Sequence, residues 1–330
     1  MNRILMGKGA RTIVEICAGV KPGEQVVIVT EPRQMKIAEV IGSAVDAVGA
    51  EPTIAVITPR ESDSQEPPAT VAAAMKESDV FISAVYTSIT HTKAVKNAVA
   101  NGSRGVMLTQ FDEQMLIKSG VNADFPKVAP ICYAVAEALE NANEIILTTP
   151  HGTNLTMSAT GRKSNAMTCM VKPGQFAPVP TVEANVSPLE GTANGTIVAN
   201  ASIPYIGIGA VDEPVTAIVK DGMITSITGG KEARILSDNL ASKNDPNVYN
   251  IAEIGVGLNP ECKFIGSMLE DEGVYGSVHI GIGSSLTLGG NVVAACHYDL
   301  IMTDVTLVVD GQTIIKDGEV LVGQTAIETV

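Results

Sequence analysis

The sequence predicts an N-terminal α/β domain with a parallel, doubly wound sheet, followed by a β-rich α+β domain. Three observations lead there. Up to about residue 140, short β-branched runs alternate with Ala-rich segments at helical spacing, the pattern of a parallel sheet with crossover helices. From Glu144 onward, strand-like runs dominate. Finally, Asp-Gly pairs at 221–222, 310–311 and 317–318 lie between apolar runs, where two-residue hairpin turns form. The composition shift sets a boundary near residue 145 with no flexible linker, giving domains 1–145 and 146–330.

Residues 24–30 (EQVVIVT) follow a Lys-Pro-Gly turn and form a continuous β-branched run, the mark of a strand buried on both faces. Residues 33–48 repeat Ala, Ile and Val at helical spacing and stop at Gly49. A second strand is expected over 51–58, then a polar loop with prolines (59–68), a short Ala-rich helix to Met75 and a third strand over 79–85. Residues 92–100 read as helix, 105–108 as a fourth strand, and 112–119 and 130–141 as helices. In the second half, strands are expected at 144–150, 195–203, 214–230, 277–283 and 304–322, interrupted by one helix from Gly230 to about Ser242. No Gly-x-Gly-x-x-Gly or Walker loop follows the first strand, so no nucleotide site is assigned.

Composition narrows the function. With 45% apolar and 18% charged residues, the chain can build real cores. A net charge of −14 disfavours nucleic acid and anionic membrane surfaces as partners, although a bound cation can reverse the sign locally. No apolar run is long enough to span a bilayer, and the N-terminal pattern is helical rather than that of a signal peptide. Five cysteines without Cys-x-x-Cys spacing fit a reducing, cytoplasmic setting. The absence of Trp and the scarcity of other aromatics argue against base-stacking platforms.

The chemistry concentrates between Glu253 and Asp299. Two of the four histidines, His279 and His297, fall here, and Asp299 follows His297 by two. On an extended strand, residues i and i+2 point to one side, so His297 and Asp299 face one point while Tyr298 faces away. An imidazole and a carboxylate converging in this way, with Glu253, Glu272 and His279 nearby in sequence, are what a divalent metal requires; a satisfied core histidine beside a turn aspartate accounts for His-x-Asp alone. Elsewhere, Thr90 and His91 lie where a strand gives way to a helix, a place where hydroxyls and an imidazole suit a polar substrate. Helix capping by Ser88 or Thr90 accounts for the same pattern. His151, in a Pro/Gly turn, is a further substrate-binding candidate, or an ordinary turn histidine. Glu190 and His91 are the candidates for a general base.

Read in order, GVKPGEQVVIVTEP, ITHT, HGTNL, EGTANGTIV, AEIGVGLNP, EDEGVYGSVHIGIG and CHYD resemble the aminopeptidase-T/aminopeptidase-S family of metallopeptidases over nearly the whole chain. The chain is also similar to the ring-cleaving, iron-dependent 2,5-dihydroxypyridine 5,6-dioxygenases, above all over residues 244–260 and in its shorter length. The peptidase resemblance implies two divalent ions (Zn, Co or Mn) held by Glu183, Glu253, Glu272, His279, His297 and Asp299, with Glu270 or Asp271 as alternatives to Glu272. The dioxygenase resemblance implies one Fe(II) in a site that has a histidine in place of Glu253. Because this chain offers all six donors, the sequence reading favours a two-metal hydrolase of an amide bond. One-iron ring cleavage is the alternative. The substrate is then a short peptide or small molecule, and the relatives imply a homo-oligomer, at least a dimer.

Overall fold

The computed structural model describes residues 2–323, which form two compact units. The first comprises residues 1–125 and 168–180, the second 126–167 and 181–330. This division departs from the boundary expected at residue 145. The helix Phe125–Leu139 goes with the second unit, and a later segment returns to supply the first with a strand, Phe176–Pro178. Composition registers neither, because a three-residue edge strand and a helix shared across a boundary do not change the local residue mixture.

The first unit is built on a five-stranded parallel sheet in the order Glu51–Val56, Gln25–Thr30, Val80–Ala84, Arg104–Met107, Phe176–Pro178. Its central strands are buried on both faces, as their unbroken apolar runs require. Helix Met35–Val48 ends where Gly49 turns left-handed at φ 84°, as read from the sequence. Gly105 leaves room for a neighbour: a Cβ there would lie 2.1 Å from the ring of Phe81, which is wholly buried. The guanidinium of the preceding residue, Arg104, donates to Ala18 O, Gly19 O and both oxygens of Glu24, tying the segment before the first strand to the sheet.

The second unit carries two antiparallel sheets of eight and seven strands. All three Asp-Gly pairs turn hairpins with both residues at positive φ, and the helix expected after Gly230 spans Lys231–Ser242. The seven-stranded sheet contains, side by side, Glu183–Val186, Ile251–Gly257, Val278–Gly283 and His297–Met302. The mixed α/β architecture, with one parallel sheet in the first unit and antiparallel sheets in the second, agrees with the sequence reading. Among the described residues no helix is long and apolar enough to cross a membrane.

Candidate metal centre

Four neighbouring strands of that sheet present one face on which polar donors and glycines interleave. In register, Glu183 lies opposite Gly257, Asn185 opposite Gly255, Gly255 opposite His279, Glu253 opposite Gly281, and Gly281 opposite Asp299, while His297 pairs with Gly283. The two middle strands thus carry the same phrase, Glu-Ile-Gly-Val-Gly (253–257) and His-Ile-Gly-Ile-Gly (279–283). Period-two alternation sends the donor and both glycines of each to one face and the aliphatic pair to the other. Ile254, Val256, Ile280 and Ile282 are accordingly wholly buried.

The glycines make space for imidazoles. A Cβ on Gly255 would lie 2.0 Å from His279 Nε2, and one on Gly281 would lie 2.7 Å from His297 Cε1 and 2.8 Å from Glu253 Cβ. Each ring occupies the space that a side chain on the glycine would fill, and its Nε2 lies among the carboxylates. His297 Nε2 is 3.0 Å from Glu253 Oε2 and 3.4 Å from Asp299 Oδ1; His279 Nε2 is 3.5 Å from Glu183 Oε2 and 3.9 Å from Glu253 Oε1.

A surrounding set of hydrogen bonds pins one atom of most donors and leaves another facing inward, which is how outer partners orient metal ligands. His297 Nδ1 sits 2.8 Å from the Ser284 carbonyl, which can only accept, so Nδ1 carries a proton. Nε2 is then the nitrogen aimed at Glu253 and Asp299, donating to them when protonated and free to ligate when a cation displaces that proton. Asn185 Nδ2 donates to Glu183 Oε1 at 2.6 Å, and Asn165 Nδ2 donates to Asn185 Oδ1 at 2.9 Å. The Tyr205 hydroxyl is 2.7 Å from both Asp299 Oδ2 and Glu272 Oε1. Glu183 Oε2, Asp299 Oδ1 and His279 Nδ1 have no hydrogen-bond partner although buried.

Burial and crowding set the electrostatics. Burial first, and then the charges of Glu253 and Asp299, push Glu183 up to about 7 against the pull of His279 and Asn185. Burial likewise drives Glu272 well above the carboxylate range, reinforced by Asp299 and Glu183. Burial resists the charging of His279, but the surrounding carboxylates prevail and raise it to about 10. Burial opposes ionisation of Asp299 and Glu253 as well, yet the histidines hold both below their ordinary values. Four buried carboxylates facing two imidazoles form a set that a divalent cation would neutralise better than protons can.

Two groups of three donors lie within 4.8 Å of one another, Glu183/Glu253/His279 and Glu253/His297/Asp299, with Glu253 common to both. With unpartnered acceptor atoms inside each group, these residues fit a divalent metal.

The family profile for 2,5-dihydroxypyridine 5,6-dioxygenase matches residues 8–322. The chain belongs to this family. A 2,5-dihydroxypyridine 5,6-dioxygenase of Pseudomonas putida KT2440 is 28% identical over 162 residues, an alignment that covers 46% of this chain and 46% of that protein. The match thus spans about half the length of the curated relative. The fold is shared with the structure of the 2,5-dihydroxypyridine dioxygenase from Pseudomonas putida KT2440 (TM-score 0.81, 18% identity, 98% of each chain). It is also shared with AmpT from Thermus thermophilus (TM-score 0.71, 14% identity, 98% of this chain and 100% of that one). Both resemblances noted in the sequence are therefore supported, but the choice between them is reversed. Family membership and the curated relative side with the dioxygenases, and the amide-hydrolase reading is set aside; the likeness to AmpT is one of fold. Counting six donors misled the sequence reading, because donor count alone does not say which reaction a site performs.

Five of the six metal candidates, Glu183, Glu253, His279, His297 and Asp299, come together. Glu272 does not join either three-donor group; its carboxyl faces the Tyr205 hydroxyl. Its alternatives are engaged with the loop before them, Glu270 accepting from Lys263 N and Asp271 from Ile265 N, Gly266 N and Ser202 Oγ. Glu190 does not join the donors either. It braces a loop, accepting from Arg162 Nη2 and, at 2.9 Å, from Asn291 N, while Arg162 Nη1 reaches Gly289 O. His151 forms an exposed pair with Asp304 at 3.0 Å in its turn. Thr90 and His91 belong to the first unit, where Thr90 bonds Ser88 and the helix cap is Thr92, accepting from Val95 N, rather than Ser88 or Thr90. The sequence reading missed Asn185, whose i+2 spacing from Glu183 was visible, and Tyr205, which is 67 and 94 residues from its two partners and gives no local signal.

Proposed function

We propose that the chain is a metal-dependent dioxygenase that opens the ring of a small hydroxylated nitrogen heteroaromatic of the 2,5-dihydroxypyridine type, with Glu253, His297 and Asp299 as ligands of the ion. The carrying observation is that a dioxygenase-family match along residues 8–322 coincides with one histidine and two carboxylates converging from two strands of one sheet. A ferrous ion held there would supply the one-electron chemistry that lets oxygen react with an electron-rich ring. The protein's own part is to orient. Ser284 O fixes the His297 tautomer, Tyr205 turns Asp299, and the buried aliphatic face beneath the sheet keeps the donor strands rigid.

Relative to a two-histidine, one-carboxylate site, Glu253 adds a negative charge, which favours harder cations and strengthens their binding. The unpartnered Glu183 Oε2 beside His279 supports a second reading in which another cation shares Glu253. Metal content after loading separates one ion per chain from two.

The test is anaerobic loading with Fe(II), addition of 2,5-dihydroxypyridine, and then admission of oxygen. Oxygen uptake equal to loss of the ring's ultraviolet absorbance is expected, and chelation before loading abolishes it. Absence of uptake with Fe(II), Mn(II) and Co(II) alike would refute the proposal.

A further inference from the structure

Tyr205 stands outside both donor groups, yet its hydroxyl is 2.7 Å from Asp299 Oδ2, a proposed ligand, and 2.7 Å from Glu272 Oε1, a carboxylate that reaches neither group. The residue is firmly seated. Its ring packs on Tyr298 with centroids 5.1 Å apart, and its backbone N–H donates to Ile203 O. The segment leading to it is tied to the neighbouring acid as well, since Ser202 Oγ donates to Asp271 Oδ2. Residues 202–205 thus grip Asp271 and Glu272 together, one through a serine and the other through a phenol.

A carboxylate held by one oxygen presents the other. With Oδ2 engaged by the phenol, Asp299 turns its unpartnered Oδ1 toward His297 Nε2, 3.4 Å away. The same hydroxyl lies 2.7 Å from Glu272 Oε1, so the phenol bridges the two carboxyl groups with its single proton. We infer that Tyr205 is the positioning residue of this metal centre, selecting Asp299 as an inward-facing ligand while holding Glu272 outside the coordination sphere. Without the hydroxyl, Asp299 loses its fixed rotation and Glu272 is released to compete for the ion. A short hydrogen bond to a ligand is expected to matter through affinity and geometry, at the 10–100-fold scale typical of outer partners.

The inference rests on the ligand set proposed above, but the test uses the full chain and Co(II) alone as probe and needs no turnover, so its failure is distinguishable from failure of the dioxygenase reading. Tyr205→Phe removes only the hydroxyl. Expected are Co(II) affinity about 10–100-fold weaker than wild type, together with a changed visible d–d spectrum. A purely structural role would leave that spectrum unaltered in whatever protein remains folded. Glu272→Gln serves as the second variant, keeping shape and hydrogen-bonding capacity while removing the potential competitor for the ion. It is expected to bind Co(II) within about 3-fold of wild type and to show the wild-type spectrum. In the double variant the altered spectrum of Tyr205→Phe should revert toward wild type, because the released competitor is gone. An unchanged affinity and spectrum for Tyr205→Phe, or a larger loss in Glu272→Gln than in Tyr205→Phe, overturns the inference. Should Tyr205→Phe fail to fold by circular dichroism, the Glu272→Gln titration alone decides, since a ligating Glu272 would lose affinity there.

Discussion

Replacing Gly281 by alanine adds one methyl group to the middle of the donor face and removes no ligand. That methyl would sit 2.7 Å from His297 Cε1, 2.8 Å from His297 Nε2 and 2.8 Å from Glu253 Cβ. Ordinary carbon contacts lie at about 3.5–4.0 Å, so the overlap is roughly 1 Å on each side. Glu253 Cβ is fixed to a strand paired on both edges and cannot retreat, so the imidazole has to swing away. Swinging breaks the His297 Nδ1 bond to Ser284 O, worth about 1 kcal/mol net, and carries Nε2 out of the group it shares with Glu253 and Asp299. Metal sites tolerate ligand errors of about 0.2 Å, well below that displacement. Metal affinity should therefore fall at least ~100-fold, with a stability loss of about 1–3 kcal/mol from overpacking. Isothermal titration with Co(II) and urea denaturation of the metal-free protein measure the two. Ile282→Val, on the opposite face of the same strand, is the control. It should cost about 0.5–1.5 kcal/mol of stability and leave affinity alone. Wild-type affinity in Gly281→Ala would show that His297 and Glu253 do not bind the ion in this geometry.

Gly255→Ala places its methyl 2.0 Å from His279 Nε2, so metal content should fall selectively if the Glu183/Glu253/His279 group holds an ion of its own; elemental analysis after loading reads this directly. Glu190→Gln should lower stability by about 1–3 kcal/mol, since it leaves the half-buried Arg162 without its charged partner, while Co(II) binding stays as in wild type. Glu24 supplies a pH prediction. Burial resists its ionisation, but hydrogen bonds and charge from Arg104, with the Lys21 backbone N–H, keep its folded pKa below the usual 4.5. A depressed carboxylate contributes stability that is full above the unfolded value and is lost as pH falls through the folded one. The stability gap between wild type and Glu24→Gln should thus be largest near neutrality and close below about pH 4.5, as urea midpoints at pH 7 and pH 4 would show. An equal gap at both would mean that the ion pair contributes nothing.

Much of this protein could be read from its residues in order. The alternation of strand and helix gave the parallel sheet, Asp-Gly gave the hairpins, and His297-x-Asp299 gave one corner of the centre. These are local signals, because period and turn chemistry act over a few residues. Even the donor-apolar-Gly-apolar-Gly phrase, repeated at 253–257 and 279–283, was visible, though its meaning was not. Only the folded sheet shows that Gly255 and Gly281, the first glycine of each phrase, lie beneath a histidine of the adjacent strand. Tertiary structure also decided which carboxylates count. Glu183 is brought in by a ladder pairing with Gly257, whereas Glu272 is held aside by a tyrosine from a distant loop and Glu190 is neutralised by Arg162. Sequence fixes the supply of charged groups and the local path of the backbone. Which of those groups share a low-dielectric pocket depends on long-range pairing, and that pairing has no signature in any single stretch of chain.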